Sequence, residues 1–242
     1  MQQSVPIQHQ EALTRVNTFV RSVYLWMTLG LTLTGITAWT VANSPYLLSF
    51  LFHAAPDGGA RPTLIFYALM FSPIILAITI TARIHKMQAS TATFLFLLYA
   101  VLMGAFLSLI LLMYSGSSIA QVFFICSGTF LACSVYGWTT KKDLTSMGSF
   151  MMMGLFGIII ASLVNIFFRS PMMHMVISYV GVLVFVGLTA YDTQKLKSMA
   201  LAQPADLDAA VLRKGTIQGA LILYLDFINL FIMLLHIFGR RN

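Results

Sequence analysis

Two aspartates stand in stretches that otherwise carry almost no charge. Asp226 lies near the middle of GTIQGALILYLDFINLFIMLLHIF, residues 215–238, a run of 24 nearly continuous apolar positions. Asp192 lies in VGLTAYDTQKLK, where another apolar run ends. At a rise of about 1.5 Å per residue, the first run is long enough to cross a bilayer as a helix. A carboxylate at the centre of such a helix costs about 2.5–3.5 kcal/mol on insertion scales, and lipid cannot solvate it. Asp226 must therefore face protein or water inside a bundle. Asn229 shares its side of the helix, with Gly219 and Met233 on the same stripe. Our reading is that Asp192 and Asp226 meet across neighbouring helices. Two carboxylates held close in low dielectric cannot both ionise cheaply, so they hold one proton in common and can serve as a pH switch. Their oxygens also attract Ca²⁺, which takes about 6–8 oxygen ligands, so waters or carbonyls must complete the shell. Two alternatives stay open. Asp226 is structural, neutral or bonded to backbone, or Asp192 pairs with Lys195 one turn on.

The elements that position these groups follow from composition. Only 9% of the 242 residues are charged, against about 25% in a soluble domain. The chain is an all-α polytopic membrane protein with seven predicted spans, near 22–42, 63–84, 90–113, 118–138, 147–168, 172–193 and 215–238. Each has 20 or more residues, and that length separates them from buried strands. Residues 1–21 form a polar cytoplasmic tail and 22–239 the membrane domain. The segment 43–62 is dense in breakers (Pro45, Pro56, Gly58, Gly59, Pro62), and Arg169, Ser170 and Pro171 break the chain again. Ser146 is the expected cap of the fifth span, Asp143 a solvated loop residue or cap, and 194–213 a polar stretch with room for a short surface helix. The first apolar segment exceeds a signal-peptide core and reads as a retained helix.

Lysine and arginine set the orientation. Arg15, Arg21, Arg83, Lys86, Lys141, Lys142, Lys195, Lys197, Arg213 and Lys214 fall on one side, ten against the four of Arg61, Arg169, Arg240 and Arg241. The positive-inside rule puts the N-terminus in the cytoplasm and the C-terminus outside. Asp192 then sits at the inner end of its span and Asp226 about 18 Å in from Lys214, a depth mismatch that tilt or unwinding has to close.

Three stretches carry a family resemblance: YGWTTKKDLTSMG (136–148), GLTAYDTQKLK (187–197) and LYLDFINLFIMLLHIFG (223–239). The chain resembles the transmembrane Bax inhibitor motif-containing (Bax inhibitor-1-like) family in a bacterial form. The resemblance implies seven helices with the last one central, and a pH-sensitive calcium leak across the inner membrane. It implies a hydrogen-bonded aspartate pair as pH sensor, gate and transient Ca²⁺ site, which by motif is Asp192 and Asp226. An arginine on the second helix can pair with one of them; Arg83 is the candidate, with plain positive-inside anchoring as its alternative. Some bacterial members are linked to a membrane-bound quality-control protease.

Other functions find less support. The net charge of +7 resides at helix ends, where it meets lipid headgroups, and there is no nucleic-acid motif. Cys126 and Cys133, seven positions apart on one helix, cannot bridge. His9, His53, His85, His174 and His236 show no zinc-ligand spacing. No nucleophile–base pair can be named, so we expect no enzyme and no cofactor. A proton-coupled small-solute transporter and an interaction protein acting on proteolysis are the competing readings. Gly154, Gly157 and Gly181 are expected to allow close helix packing.

Overall fold

The computed structural model describes residues 4–54, 60–204 and 207–241. Seven of its helices are long and apolar enough to cross a membrane, which establishes the all-α polytopic class. The chain is α1 (Ser4–Ala42), α2 (Pro45–Leu51), β1 (Phe52–Ala54), β2 (Ala60–Pro62), α3 (Leu64–Arg83), α4 (Ala89–Met113), α5 (Gly116–Thr139), α6 (Thr145–Phe168), α7 (Pro171–Leu201) and α8 (Ala209–Phe238). It divides into two compact units. One holds Met1–Arg21, Gly116–Asp206 and Ile222–Arg240; the other holds Ser22–Ser115, Leu207–Leu221 and Arg241–Asn242.

The first helix begins well before residue 22. α1 runs unbroken from Ser4, because Val16, Phe19, Val23 and Met27 recur at helical spacing and all are buried. In the expected loop, Ser44 caps α2 and Pro45 occupies its first turn, where a missing N–H costs nothing. β1 and β2 then pair antiparallel, Phe52 opposite Pro62 and His53 opposite Arg61. The breakers Pro56, Gly58 and Gly59 lie outside the described residues.

Within the second unit, α1 and α4 pack closely. Thr34 Oγ1 donates to the Ala100 carbonyl at 2.9 Å, and a Cβ on Gly104 would lie 2.5 Å from the Thr34 carbonyl oxygen. α3 contains Pro73, which cannot donate to the Leu69 carbonyl. Ser72 Oγ donates to that carbonyl instead, at 3.0 Å. In lipid such a repair matters, since water is not there to satisfy the oxygen.

Within the first unit, α7 packs against both α5 and α6. Arg169 takes a left-handed conformation (φ 49°) to end α6, and Ser170 caps α7, its hydroxyl accepting from Met173 N–H at 3.3 Å. Ser146 does not cap α6. It lies inside that helix, and Asp143 Oδ1 accepts from Thr145 N–H at 2.9 Å and from its hydroxyl at 2.6 Å. These bonds to the charged form, first from the hydroxyl and then from the amide, hold the Asp143 carboxyl below its ordinary pKa.

α8 has the most buried span, 56% against 6–44% for the others. α6, at the low end, exposes Phe150, Phe156, Ile160, Ile166 and Phe167, a surface suited to lipid.

Candidate functional site

The site is built on a seam between α7 and α8, all within the first unit. At one end the rings of His174 and His236 lie 4.4 Å apart. Next, Gly181 leaves room for Met233, whose Cγ and Sδ would stand 2.9 Å from an added Cβ. Farther along, Asp192 and Asp226 come within hydrogen-bonding reach of each other. The three pairs advance along α7 as they retreat along α8, so the helices run antiparallel. Gly181 serves close packing, as expected.

The depth mismatch closes by a simple route. α7 continues past residue 193 to Leu201, so the polar stretch contributes two further helical turns rather than a separate surface helix. Asp192 thus stands about 13.5 Å from the helix end, comparable to the roughly 18 Å between Asp226 and Lys214.

Asp226 is 5% exposed and Asp192 half-buried. Oδ2 of Asp226 is buried and receives no donor among the described residues. Its neighbour is another carboxyl, and two carboxylate oxygens both accept, so only a proton held between them makes the bond. Lys195, one turn from Asp192, is the cation acting on it. Its ammonium lies 5.8 Å from the centre of the Tyr191 ring. Asn229 does not join the pair: its Nδ2 donates to the Leu225 carbonyl of its own helix at 2.9 Å.

An aromatic wall fixes the Asp226 segment. The Phe227 ring lies 5.7 Å from that of Phe123 and 5.4 Å from that of Phe130, both on α5. Cys126 Sγ approaches the Phe227 carbonyl at 3.7 Å, and both cysteines are free.

The α5–α6 connection grips the helix of Asp192. Gly137 packs directly on the Ala190 backbone, and a Cβ on Gly148 would meet the Tyr191 ring at 2.5 Å. Gln194 clamps the connection twice. Its Oε1 accepts from Leu144 N–H at 2.9 Å and its Nε2 donates to the Lys142 carbonyl at 2.8 Å. Lys197 Nζ donates to the Trp138 carbonyl at 2.7 Å. Gln194, Lys197, Gly137 and Gly148 all lie in the motif stretches, but their type and spacing do not reveal that they pair.

Arg83 belongs to the second unit, exposed in the last turn of α3. Among the described residues it has no carboxylate partner. No cluster of three or more His, Cys, Asp or Glu that could hold a metal occurs among them either. Asp192 and Asp226 alone offer too few oxygens for a tight calcium site.

Comparison with known proteins agrees with this architecture. The family model described as "Inhibitor of apoptosis-promoting Bax1" matches residues 16–242. The inner membrane protein YbhL of Escherichia coli K12 is 46% identical over 227 residues, 94% of this chain and 93% of that protein. Uncharacterised proteins of Rickettsia prowazekii (43% over 224 residues, 93% of this chain and 90% of that protein) and Borreliella burgdorferi (40% over 235 residues, 97% of each) are also similar. With seven membrane-length helices and a family match over nearly its whole length, the chain belongs to the Bax inhibitor-1-like family of membrane proteins.

Proposed function

We propose that this protein is a pH-sensitive calcium leak channel of the bacterial inner membrane, gated by Asp192 and Asp226. The observation that carries the reading is the facing of these carboxyls, with an Asp226 oxygen buried and without a donor among the described residues. One shared proton holds α7 and α8 together. Its loss leaves two like charges in a poorly screened setting, and their repulsion drives the helices apart. The freed oxygens then supply part of a calcium shell, with water filling the rest. Such a site is weak, which suits conduction, because an ion must leave as readily as it enters. The name of the E. coli relative supports the inner membrane as location. The excess of lysine and arginine on one side supports a cytoplasmic N-terminus and an external C-terminus.

The test is calcium influx into dye-loaded proteoliposomes from pH 6 to 8, for wild type, Asp226→Asn and Asp192→Asn. Wild-type influx is expected to rise with pH, and each substitution to abolish that rise. Unchanged flux in both variants at every pH sinks the proposal. Saturable exchange with counterflow would identify a proton-coupled carrier instead. No flux from folded protein would favour an interaction protein acting on quality-control proteolysis.

A further inference from the structure

A second candidate site lies within the other unit, at the corner where α3 ends and α4 begins. A cavity of about 610 Å³ opens there. Its polar wall carries Arg83, Lys86, Thr79 and Thr91; Met87 and Leu95 supply apolar lining. Arg83 and Lys86 are exposed, and among the described residues neither has a carboxylate partner. The cationic character extends beyond the cavity. Lys214 Nζ donates to the His85 carbonyl at 3.3 Å, and Arg213 Nε donates to Thr93 Oγ1 at 3.2 Å. Asp208, the acidic residue described in this unit, accepts from Ala210 N–H at 2.8 Å at the start of α8.

We infer that this cavity binds the phosphate of an anionic phospholipid, with Arg83 and Lys86 as its charge partners. The two threonines are not equivalent. Thr79 already donates its hydroxyl proton to the Ile75 carbonyl at 2.7 Å, so Thr91 is the hydroxyl left to donate. The start of α4 lies beside the cavity, and Gln88 makes no side-chain cap there. The cavity also leads onto apolar surface. Ile75 and Ile78 on α3 and Phe94 on α4 are 61%, 64% and 64% exposed, and Ile75 and Ile78 lie on the stripe that continues to Thr79 and Ala82. A soluble phosphate needs no such track, whereas an acyl chain does. A zwitterionic lipid brings its own cation, which two uncompensated cations repel; a net negative headgroup does not. Basic clefts at the inner ends of membrane helices suit this ligand chemistry.

Native mass spectrometry of the detergent-solubilised full chain tests this, with phosphatidylglycerol, phosphatidylcholine of the same acyl chains, and inorganic phosphate as probes. Wild type is expected to hold one phosphatidylglycerol in preference to phosphatidylcholine. Lys86→Gln weakens it about fivefold, the contribution of one cation near an anionic surface. Arg83→Gln with Lys86→Gln brings it to the phosphatidylcholine level. Thr91→Val, which keeps every charge, costs about threefold and covers the case that the charge variants fail to fold. Lys141→Gln removes the same charge elsewhere and leaves binding unchanged. The proposal is overturned if Lys141→Gln weakens binding as much as Lys86→Gln, since attraction is then diffuse. Equal retention of both lipids overturns it too. So does displacement of the lipid by millimolar phosphate, which reassigns the cavity to a soluble anion.

Discussion

Gln194 joins the α5–α6 connection to the helix that carries Asp192, and Gln194→Leu removes the joint at similar volume. Two bonds go, from Leu144 N–H to Oε1 at 2.9 Å and from Nε2 to the Lys142 carbonyl at 2.8 Å. Their costs differ. Leu144 is buried, so its amide has no ready water, and an unmade buried donor costs about 1–3 kcal/mol. Lys142 is exposed, and its carbonyl returns to solvent at little cost. The expected loss is about 2 kcal/mol, or roughly 30-fold in the equilibrium for opening the segment. Hydrogen exchange read by mass spectrometry over residues 140–148 should show the Leu144 amide exchanging faster by that factor. Gln194→Glu separates the two bonds. Its carboxylate still accepts from Leu144 but cannot donate to Lys142, so exchange stays within about threefold of wild type. Unchanged exchange in Gln194→Leu refutes the reasoning, because the connection is then held elsewhere. Equal acceleration in both variants refutes it as well, because the weight then rests on the exposed bond.

Other expectations follow from single contacts. Gly137→Ala drives a methyl into the Ala190 backbone, which cannot swing aside as a side chain can. It should cost about 1–3 kcal/mol by overpacking, read as a lower thermal midpoint in detergent. Gly128→Ala on the same helix meets nothing within 4 Å and should be neutral or stabilise by up to about 1 kcal/mol. Asp143→Ala removes both bonds to Thr145 at the start of α6. Because the folded state lowers the Asp143 pKa, its contribution is complete above the unfolded carboxylate pKa and lost as pH falls through the folded one. Thermal midpoints of wild type and Asp143→Ala should therefore differ by a constant amount from pH 5 to 8 and converge in acid below the ordinary carboxylate range.

Much of the architecture was legible in the chain. Seven long apolar runs fix seven membrane helices, because backbone polar groups in lipid can be satisfied only within a helix or a closed barrel. Asp226 announced itself by cost: a carboxylate amid apolar residues 223–238 needs a partner or water. Arg169, Ser170 and Pro171 marked a break between two helices through local chemistry alone. The start of α1 was obscured because its buried stripe is diluted by Asn17, Thr18 and Arg21, which lower average hydropathy without breaking helical spacing. The length of α7 was hidden likewise, since Lys195, Lys197 and Ser198 read as a loop while Leu196 and Ala200 are buried.

Beyond the aspartate pair, which helix faces which is what the sequence by itself left undecided. It determined that Asp192 and Asp226 need neighbours, but not that an extended α7 brings them to comparable depth. It determined that 136–148 and 187–197 are distinctive, but not that Gln194 and Lys197 from one grip Lys142, Leu144 and Trp138 of the other. Asn229 shows the same limit: it shares a helix side with Asp226 yet bonds to Leu225 of its own helix. Spacing along a helix reports which way a side chain points, because that depends on residues within one turn. What it meets there depends on residues tens of positions away, and only the packing of helices settles that.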